Sequence, residues 1–153
     1  MTDIGLFVVN NCIDLKLTDD GSKLAGDDGL ETAVLISLFT DMRVSESELP
    51  VGTFDKKGWW ADEFSNVPGD QIGSKIWASG REGASVLAIQ AIQTRAKQSL
   101  DWMIEDGVAE SVSVVATRNG SNGVSLDVSI LRPDDEGSNR FSLFWDGQKL
   151  KRN

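Results

Sequence analysis

The sequence contains no histidine and no tyrosine, and Cys12 is its only cysteine. Without histidine, the chain lacks the commonest general base, the commonest metal ligand, and every Ser-His or Cys-His nucleophilic arrangement. A single cysteine excludes an intrachain disulfide and a thiolate metal cluster. We therefore expect neither an enzyme nor a protein with a bound metal or cofactor.

Basic residues are scarce relative to acidic ones. Lysine and arginine number 15 against 24 aspartates and glutamates, which gives a formal net charge of -9. The phosphate backbone of a nucleic acid would repel so acidic a chain unless its basic residues were clustered. They cluster only at the C-terminus, at Lys149, Lys151 and Arg152. We therefore expect no nucleic-acid partner.

Long apolar runs are also missing. None approaches the roughly 20 residues that a membrane span requires, and Met1–Ile4 lacks the basic residues that begin a signal peptide. We expect no membrane partner, and synthesis in the cytoplasm without a secretion signal. The length of 153 residues, with 40% hydrophobic and 25% charged residues, is typical of one globular unit. The composition thus predicts a single domain over residues 1–153.

The N-terminal part predicts a β-hairpin followed by a long helix. Alternating apolar residues on both sides of the Asn10-Asn11 turn indicate the hairpin, and the polar, glycine-bearing residues 18–29 indicate a loop. Asp28 and Glu31 then form a capping-box pattern, which begins a helix that ends near residue 43. Apolar residues every four positions predict that this helix faces the core.

The remaining sequence predicts a second long core helix and a sheet, giving an α+β fold. A long connection containing Pro50 and Pro68 leads to a short helix near 72–78 and then to a helix over about 83–106. Three alternating strands follow, joined by short loops into an antiparallel meander with the helices on one face. We expect the meander, at 139–145, or the N-terminal hairpin to leave an edge strand open.

Tryptophans are concentrated in two neighbouring motifs, Gly58-Trp59-Trp60-Ala61-Asp62 and Gly73-Ser74-Lys75-Ile76-Trp77. Large aromatic side chains in a loop-like setting cover either the protein's own core or a partner's surface. In one interpretation, Trp77 and Trp102 pack in the core and the Trp59-Trp60 pair covers a core edge. In the other, at least one ring of the pair faces a partner, because two neighbouring rings cannot easily be buried in one direction.

Two groups of carboxylates are candidates for chemistry. The first group is Asp19, Asp20, Asp27 and Asp28 in the loop over 18–29, which could offer oxygen ligands to a hard cation. This loop fails the EF-hand spacing, because Leu24 and Ala25 occupy the fifth and sixth positions counted from Asp20. Asp62 and Glu63 lie beside the tryptophans and suggest the best enzyme alternative, a carboxylate-based glycosidase acting on cell-wall polysaccharide. Adjacent residues do not face each other in a helix or strand, however, and no pattern fixes a partner acid.

A series of motifs runs in order along nearly the whole chain. They are Asp27-Asp28-Gly29-Leu30-Glu31-Thr32-Ala33-Val34, Leu38-Phe39-Thr40-Asp41, the two tryptophan motifs with Ile72, Ala96 with Leu100, Trp102 and Met103, Asp106-Gly107-Val108-Ala109, and the strand from Arg140-Phe141 to Trp145. In these motifs the chain resembles the small tail-baseplate protein family of Mu-like contractile-tailed phages. The combination of the Gly-Trp-Trp-x-Asp and Gly-Ser-x-x-Trp motifs is specific.

The resemblance implies a structural component of the baseplate wedge of a phage or a phage-tail-like particle. Such proteins look similar in role to sheath initiators, which sit in about six copies around the tail tube and accept strands from the first sheath subunits by β-augmentation. The Glu-Pro-Arg motif of sheath initiators is absent from this sequence. The implied partners are other wedge proteins and sheath subunits, and the implied location is the virion tail baseplate. The candidate partner-binding residues are Trp59, Trp60, Asp62, Trp77, Phe141 and Trp145.

Overall fold

The computed structural model describes residues 3–9, 12–27, 30–79, 85–120, 123–133, 138–145 and 150–152, and it shows a mixed α+β fold. The strands are β1 Asp3–Ile4, β2 Leu6–Val9, β3 Cys12–Leu15, β4 Gly26–Asp27, β5 Ser111–Asn119, β6 Gly123–Leu131, β7 Ser138–Trp145 and β8 Leu150–Arg152. The α-helices are α1 Glu31–Phe39, α2 Val86–Gln98 and α3 Trp102–Glu105. Three short 3-10 helices are η1 Glu46–Glu48, η2 Trp60–Phe64 and η3 Ile76–Ser79.

The C-terminal sheet is antiparallel and has the strand order β5-β6-β7-β8. Its first three strands are those that the alternating pattern predicted. Instead of a three-stranded meander, however, the described sheet has a fourth strand, β8. The sequence prediction missed β8 because a three-residue strand is too short to show alternation.

The edges of this sheet differ from the expectation. Leu143, Phe144 and Trp145 pair with β8, so the prediction that 139–145 is an open edge is wrong for these three residues. In the described ranges, residues 138–142 pair with β6 only. At the opposite edge, the Ala116 N–H donates to Gln93 Oε1 at 3.0 Å, so α2 covers part of β5.

The N-terminal strands form two antiparallel pairs. The predicted hairpin is present as β2 and β3, with Leu6 opposite Leu15. The prediction of a loop over 18–29 is wrong in part, because β4 pairs with β1 and Leu17 pairs with Leu24. Strands of two residues are too short to carry a periodic signal, so pairing across the chain decides their structure.

Asp20 stabilises the turn within this region. Hydrogen bonds from the Thr18 hydroxyl and then from the hydroxyl and backbone N–H of Ser22 lower the pKa of Asp20 to about 2. These bonds hold the carboxylate within its own turn, as is typical of an aspartate in a solvent-exposed turn.

The core lies between the helices and one face of the large sheet. Helix α1 contributes Val34, Leu35 and Leu38, and α2 contributes Ile92 and Ala96, as the spacing predicted. The alternating residues of β6 cover the opposite side: Val124, Leu126, Val128 and Ile130. Each such aliphatic side chain contributes roughly 1.5–3 kcal/mol of hydrophobic free energy on full burial.

Both long helices are shorter than predicted. Helix α1 ends at Phe39 rather than near residue 43, because Thr40 is extended and its carbonyl accepts a hydrogen bond from a distant residue, Ser74. Asp28 lies outside the described residues, so the predicted capping box is not tested. The Asp27 carboxylate accepts the Thr32 N–H at 2.7 Å in the first turn of the helix. An acidic group there is favourable for the helix dipole.

The predicted helix over 83–106 is two helices. Helix α2 begins after Ser85, whose hydroxyl accepts the Ala88 N–H at 3.2 Å, and ends at Gln98. The buried Ser99 hydroxyl then bonds to the Ala96 carbonyl at 2.8 Å, which competes with continued helical hydrogen bonding. After this turn, α3 still places Met103 in the core. Within the described ranges, no helix combines the length and apolar character needed to cross a bilayer.

Candidate functional site

Hydrogen bonds join the two ends of the connection between α1 and η3, which comprises residues 40–75. The Ser74 N–H donates to the Thr40 carbonyl at 2.8 Å, and the Met42 N–H donates to the Ser74 carbonyl at 3.0 Å. The Ser74 hydroxyl also donates to the Leu38 carbonyl at 2.9 Å. A long stretch with little regular secondary structure is thus fixed to the helix that precedes it.

The two motif glycines occupy conformations and spaces that other residues do not fit. Gly58 has a φ of +108°, and an added Cβ would lie 2.8 Å from Cβ of Arg43. Gly73 has a φ of +105°, and an added Cβ would lie 2.3 Å from the Thr40 carbonyl oxygen. Each tryptophan motif therefore begins with glycine for a steric reason.

Trp77 joins the connection to the rest of the chain. Its ring is half-buried, and its Nε1–H donates to the Met42 carbonyl at 2.8 Å. The Lys57 ammonium lies 4.6 Å from the ring centroid and forms an ion pair with Asp41 at 2.6 Å. These contacts give Trp77 a structural role. It is not among the buried core residues, however, so the first interpretation, which placed it in the core, is wrong on that point.

Trp102 is less buried than that interpretation predicted. Its Nε1–H donates to the Ser37 hydroxyl of α1 at 3.1 Å, but 37% of the residue is exposed. The expectation that it packs in the core is therefore wrong for much of its ring.

Three exposed aromatic side chains form a continuous surface, which we call the aromatic ridge: Trp59, Trp60 and Phe64. The ring centroids of Trp59 and Trp60 are 5.9 Å apart, and those of Trp60 and Phe64 are 6.0 Å apart. Trp60 and Phe64 are 73% and 74% exposed, against 45% for Trp59. Trp60 is therefore the more exposed ring of the pair.

Phe64 is a member of the ridge that sequence reasoning missed. Its position four residues after Trp60 is a weak signal, since side chains at that spacing are neighbours on a helical surface. Detecting it required knowing that Trp60–Phe64 is helical, which the surrounding turn residues obscured.

Asp62 links two parts of the connection through a hydrogen bond. Its Oδ1 accepts the Ile72 N–H at 3.2 Å, whereas its Oδ2 is shielded from solvent and has no hydrogen-bond partner in the described structure. Glu63 is exposed beside it. The geometry therefore gives Asp62 a positioning role in the connection. Asp62 and Glu63 line a small cleft of about 190 Å³ with Trp59 and Trp60, but its described lining contains no other carboxylate that could face them as a partner acid.

A groove of about 580 Å³ lies between the connection and the helices α1 and α3. We call it the acidic groove, because its lining includes five carboxylates: Asp3, Asp62, Asp70, Asp101 and Glu105. Trp59 lines the groove and also belongs to the ridge, so the two features are adjacent. Among the residues that the structure describes, no group of three or more potential metal ligands is found.

The two strand residues predicted to bind partners lie far along the chain from this region. Phe141 and Trp145 belong to β7, where their backbones pair with Val128 and Val124. Their side chains lie outside the described structure, so their partner-binding role remains a prediction.

Glu48 stabilises the connection in a pH-dependent way. Hydrogen bonds from Lys75, then from the Ser45 N–H and hydroxyl, lower its pKa from 4.5 to about 2. A carboxylate whose pKa is depressed in the folded state stabilises that state fully above its unfolded pKa. This contribution is lost as the pH falls from about 4.5 to about 2.

We therefore expect Glu48→Gln to reduce stability at neutral pH and to flatten the loss of stability on acidification below pH 4.5. Urea unfolding monitored by tryptophan fluorescence at a series of pH values measures both effects. Glu63→Gln is the matched control and should follow the wild-type curve. Identical pH slopes for wild type and Glu48→Gln would contradict the role of Glu48.

The fold and the site define a small α+β protein that presents exposed aromatic side chains on a firmly anchored connection, a surface suited to protein contacts. The family model described as Phage protein GP46 matches residues 30–137, and the chain belongs to this family. It is 34% identical over 146 residues to the Mu-like prophage FluMu protein gp46 of Haemophilus influenzae, covering 95% of this chain and 98% of the relative. It is 33% identical over 135 residues to the Baseplate protein gp46 of Escherichia phage Mu, covering 88% and 90%. The resemblance to the Mu-like family is thus confirmed.

Proposed function

We propose that this chain is a structural component of the baseplate wedge of a contractile phage tail or a phage-tail-like particle. The observation that carries the proposal is the match to the phage Mu relative, which is named as a baseplate protein and aligns along most of both chains. A structural role requires no nucleophile, metal or cofactor. It requires rigid surfaces for partner proteins.

The aromatic ridge is the surface that best supports this role. Tryptophan is enriched among the residues that dominate the binding energy of protein interfaces. The ridge stands on a connection that is tied to α1 by backbone hydrogen bonds, so little conformational entropy would be lost when a partner binds. We therefore assign the ridge to a contact with another wedge protein.

The backbone of β7 offers a second kind of contact. Its residues 138–142 pair on one side only in the described ranges, so an extended segment from a first sheath subunit has a place to add a strand. In this proposal the chain acts as a single domain, is made in the host cytoplasm, and helps to nucleate the sheath in about six copies per particle.

Analysis of purified particles tests the proposed function. We expect the wild-type protein to co-purify with tails at a fixed ratio to the other baseplate subunits, as measured by quantitative mass spectrometry. Deletion of the gene should yield tubes without assembled sheath, and expression from a plasmid should restore sheathed tails. Sheathed tails of normal length from the deletion strain would contradict the proposal.

A further inference from the structure

The lining of the acidic groove combines apolar and acidic residues. Its apolar members include Ala33, Ile36, Ile72 and Trp102. None of its described lining residues is lysine or arginine. Such a groove favours a ligand that is both apolar and positively charged.

The carboxylates of the groove have little cationic compensation. Asp101 forms an ion pair with Lys97 at 2.8 Å. In the described structure no ion pair involves Asp3, Asp62, Asp70 or Glu105. Asp70 and Glu105, which we call the rim of the groove, are both exposed and therefore accessible to a cationic side chain.

Hydrogen bonds fix opposite walls of the groove. Trp102 is bonded to Ser37 on the helical side, and Asp62 is bonded to the Ile72 N–H on the side of the connection. Walls held in this way are pre-organised, which lowers the entropic cost of binding. Two indole rings beside carboxylates also suit a guanidinium or ammonium group, through cation–π contact and charge attraction.

We infer that the acidic groove binds an extended segment of a partner protein through a lysine or arginine side chain flanked by apolar residues. The identity of the partner as a baseplate subunit rests on the proposed function, whereas the chemistry of the ligand rests on the groove alone. A second copy of this chain is disfavoured as the occupant, because each copy carries a net charge of -9.

A peptide titration tests the ligand chemistry directly. The probe is the capped peptide alanine–leucine–arginine–leucine–alanine, and the control peptide carries neutral citrulline in place of arginine. We expect the arginine peptide to shift the indole N–H resonances of Trp59 and Trp102 in two-dimensional NMR spectra. The citrulline peptide should bind about threefold to tenfold more weakly. Equal binding of the two peptides, or shifts confined to residues outside the groove, would overturn the inference.

Charge-neutralising variants of the rim residues test whether the arginine peptide binds in the groove. Asp70→Asn combined with Glu105→Gln should weaken binding of the arginine peptide about threefold to tenfold. Asp19→Asn combined with Glu110→Gln removes the same charge from exposed positions outside the groove and should leave binding unchanged. Equal losses in both double variants would attribute binding to overall charge and would count against the groove.

Particle incorporation separates this inference from the proposed function. If wild-type protein enters particles but the Asp70→Asn/Glu105→Gln variant enters equally well, the groove inference fails and the baseplate role stands. If wild-type protein is absent from particles, the baseplate role fails, together with the assignment of a baseplate partner. Light scattering of the purified protein should show a monomer, and a dimer lost in the groove variant would identify a second copy as the occupant instead.

Discussion

Replacing Gly73 with alanine is expected to destabilise the protein by about 3–5 kcal/mol. A non-glycine residue in a sparsely populated backbone region costs of order 1–3 kcal/mol. The added Cβ would also meet the Thr40 carbonyl oxygen at 2.3 Å, which is backbone and cannot rotate away. Relieving this overlap requires the connection to move off the end of α1, which breaks the bond from the Ser74 N–H to Thr40.

Gly69→Ala is the matched control for this effect. Gly69 also has a positive φ, +84°, but nothing lies within 4 Å of an added Cβ. The control should therefore show only the conformational cost, about 1–2 kcal/mol. Chemical denaturation of both variants measures the difference, which isolates the close approach of Gly73 to Thr40. Equal destabilisation of the two variants would show that this approach is unimportant.

Replacing Trp60 with alanine is expected to have its largest effect on assembly. Trp60 is 73% exposed, and in the described structure its ring packs against those of Trp59 and Phe64, so its loss should cost the folded chain about 1 kcal/mol. A tryptophan at the centre of an interface contributes about 2 kcal/mol or more, which corresponds to roughly a thirtyfold loss of affinity. We therefore expect a folded variant that is depleted from purified particles.

Phe54→Ala is the control for the assembly effect. Phe54 lies in the same connection and is 94% exposed, but it is not part of the ridge. This variant should be incorporated normally, and Trp59→Ala should lose more stability than Trp60→Ala because Trp59 is more buried and also lines the groove. Normal incorporation of Trp60→Ala would remove the ridge from the interface. Severe and equal loss of thermal stability in both tryptophan variants would instead make the pair part of the core.

The sequence predicted the periodic elements well and the short or interrupted ones poorly. The buried faces of α1 and β6 follow from local spacing, as Val34 and Leu126 illustrate. The break after α2 does not, because Leu100 and Met103 are buried and continue the apolar pattern through a turn. At this turn the Ser99 hydroxyl donates to the Ala96 carbonyl, and a serine carries no periodic signal.

The candidate site was recognised in part. The two tryptophan motifs marked the right segment, since large aromatic residues among turn formers are conspicuous in any sequence. The sequence did not show which tryptophan is structural and which is exposed, because Trp77 and Trp60 differ only in what surrounds them in the fold. Trp77 donates to Met42, which is 35 residues away, whereas Trp60 has most of its ring in solvent.

By itself, the sequence excluded the chemistry that histidine or paired cysteines would have provided. It also determined the α+β class and membership of the Mu-like family. These follow from composition, from local periodicity, and from motifs that are read in order. Only the tertiary structure decided that Gly73 must be glycine, that Phe64 completes the aromatic ridge, and that five carboxylates share one groove. Each of these depends on how closely separated segments approach one another, and that distance is set by packing and hydrogen bonding across the fold.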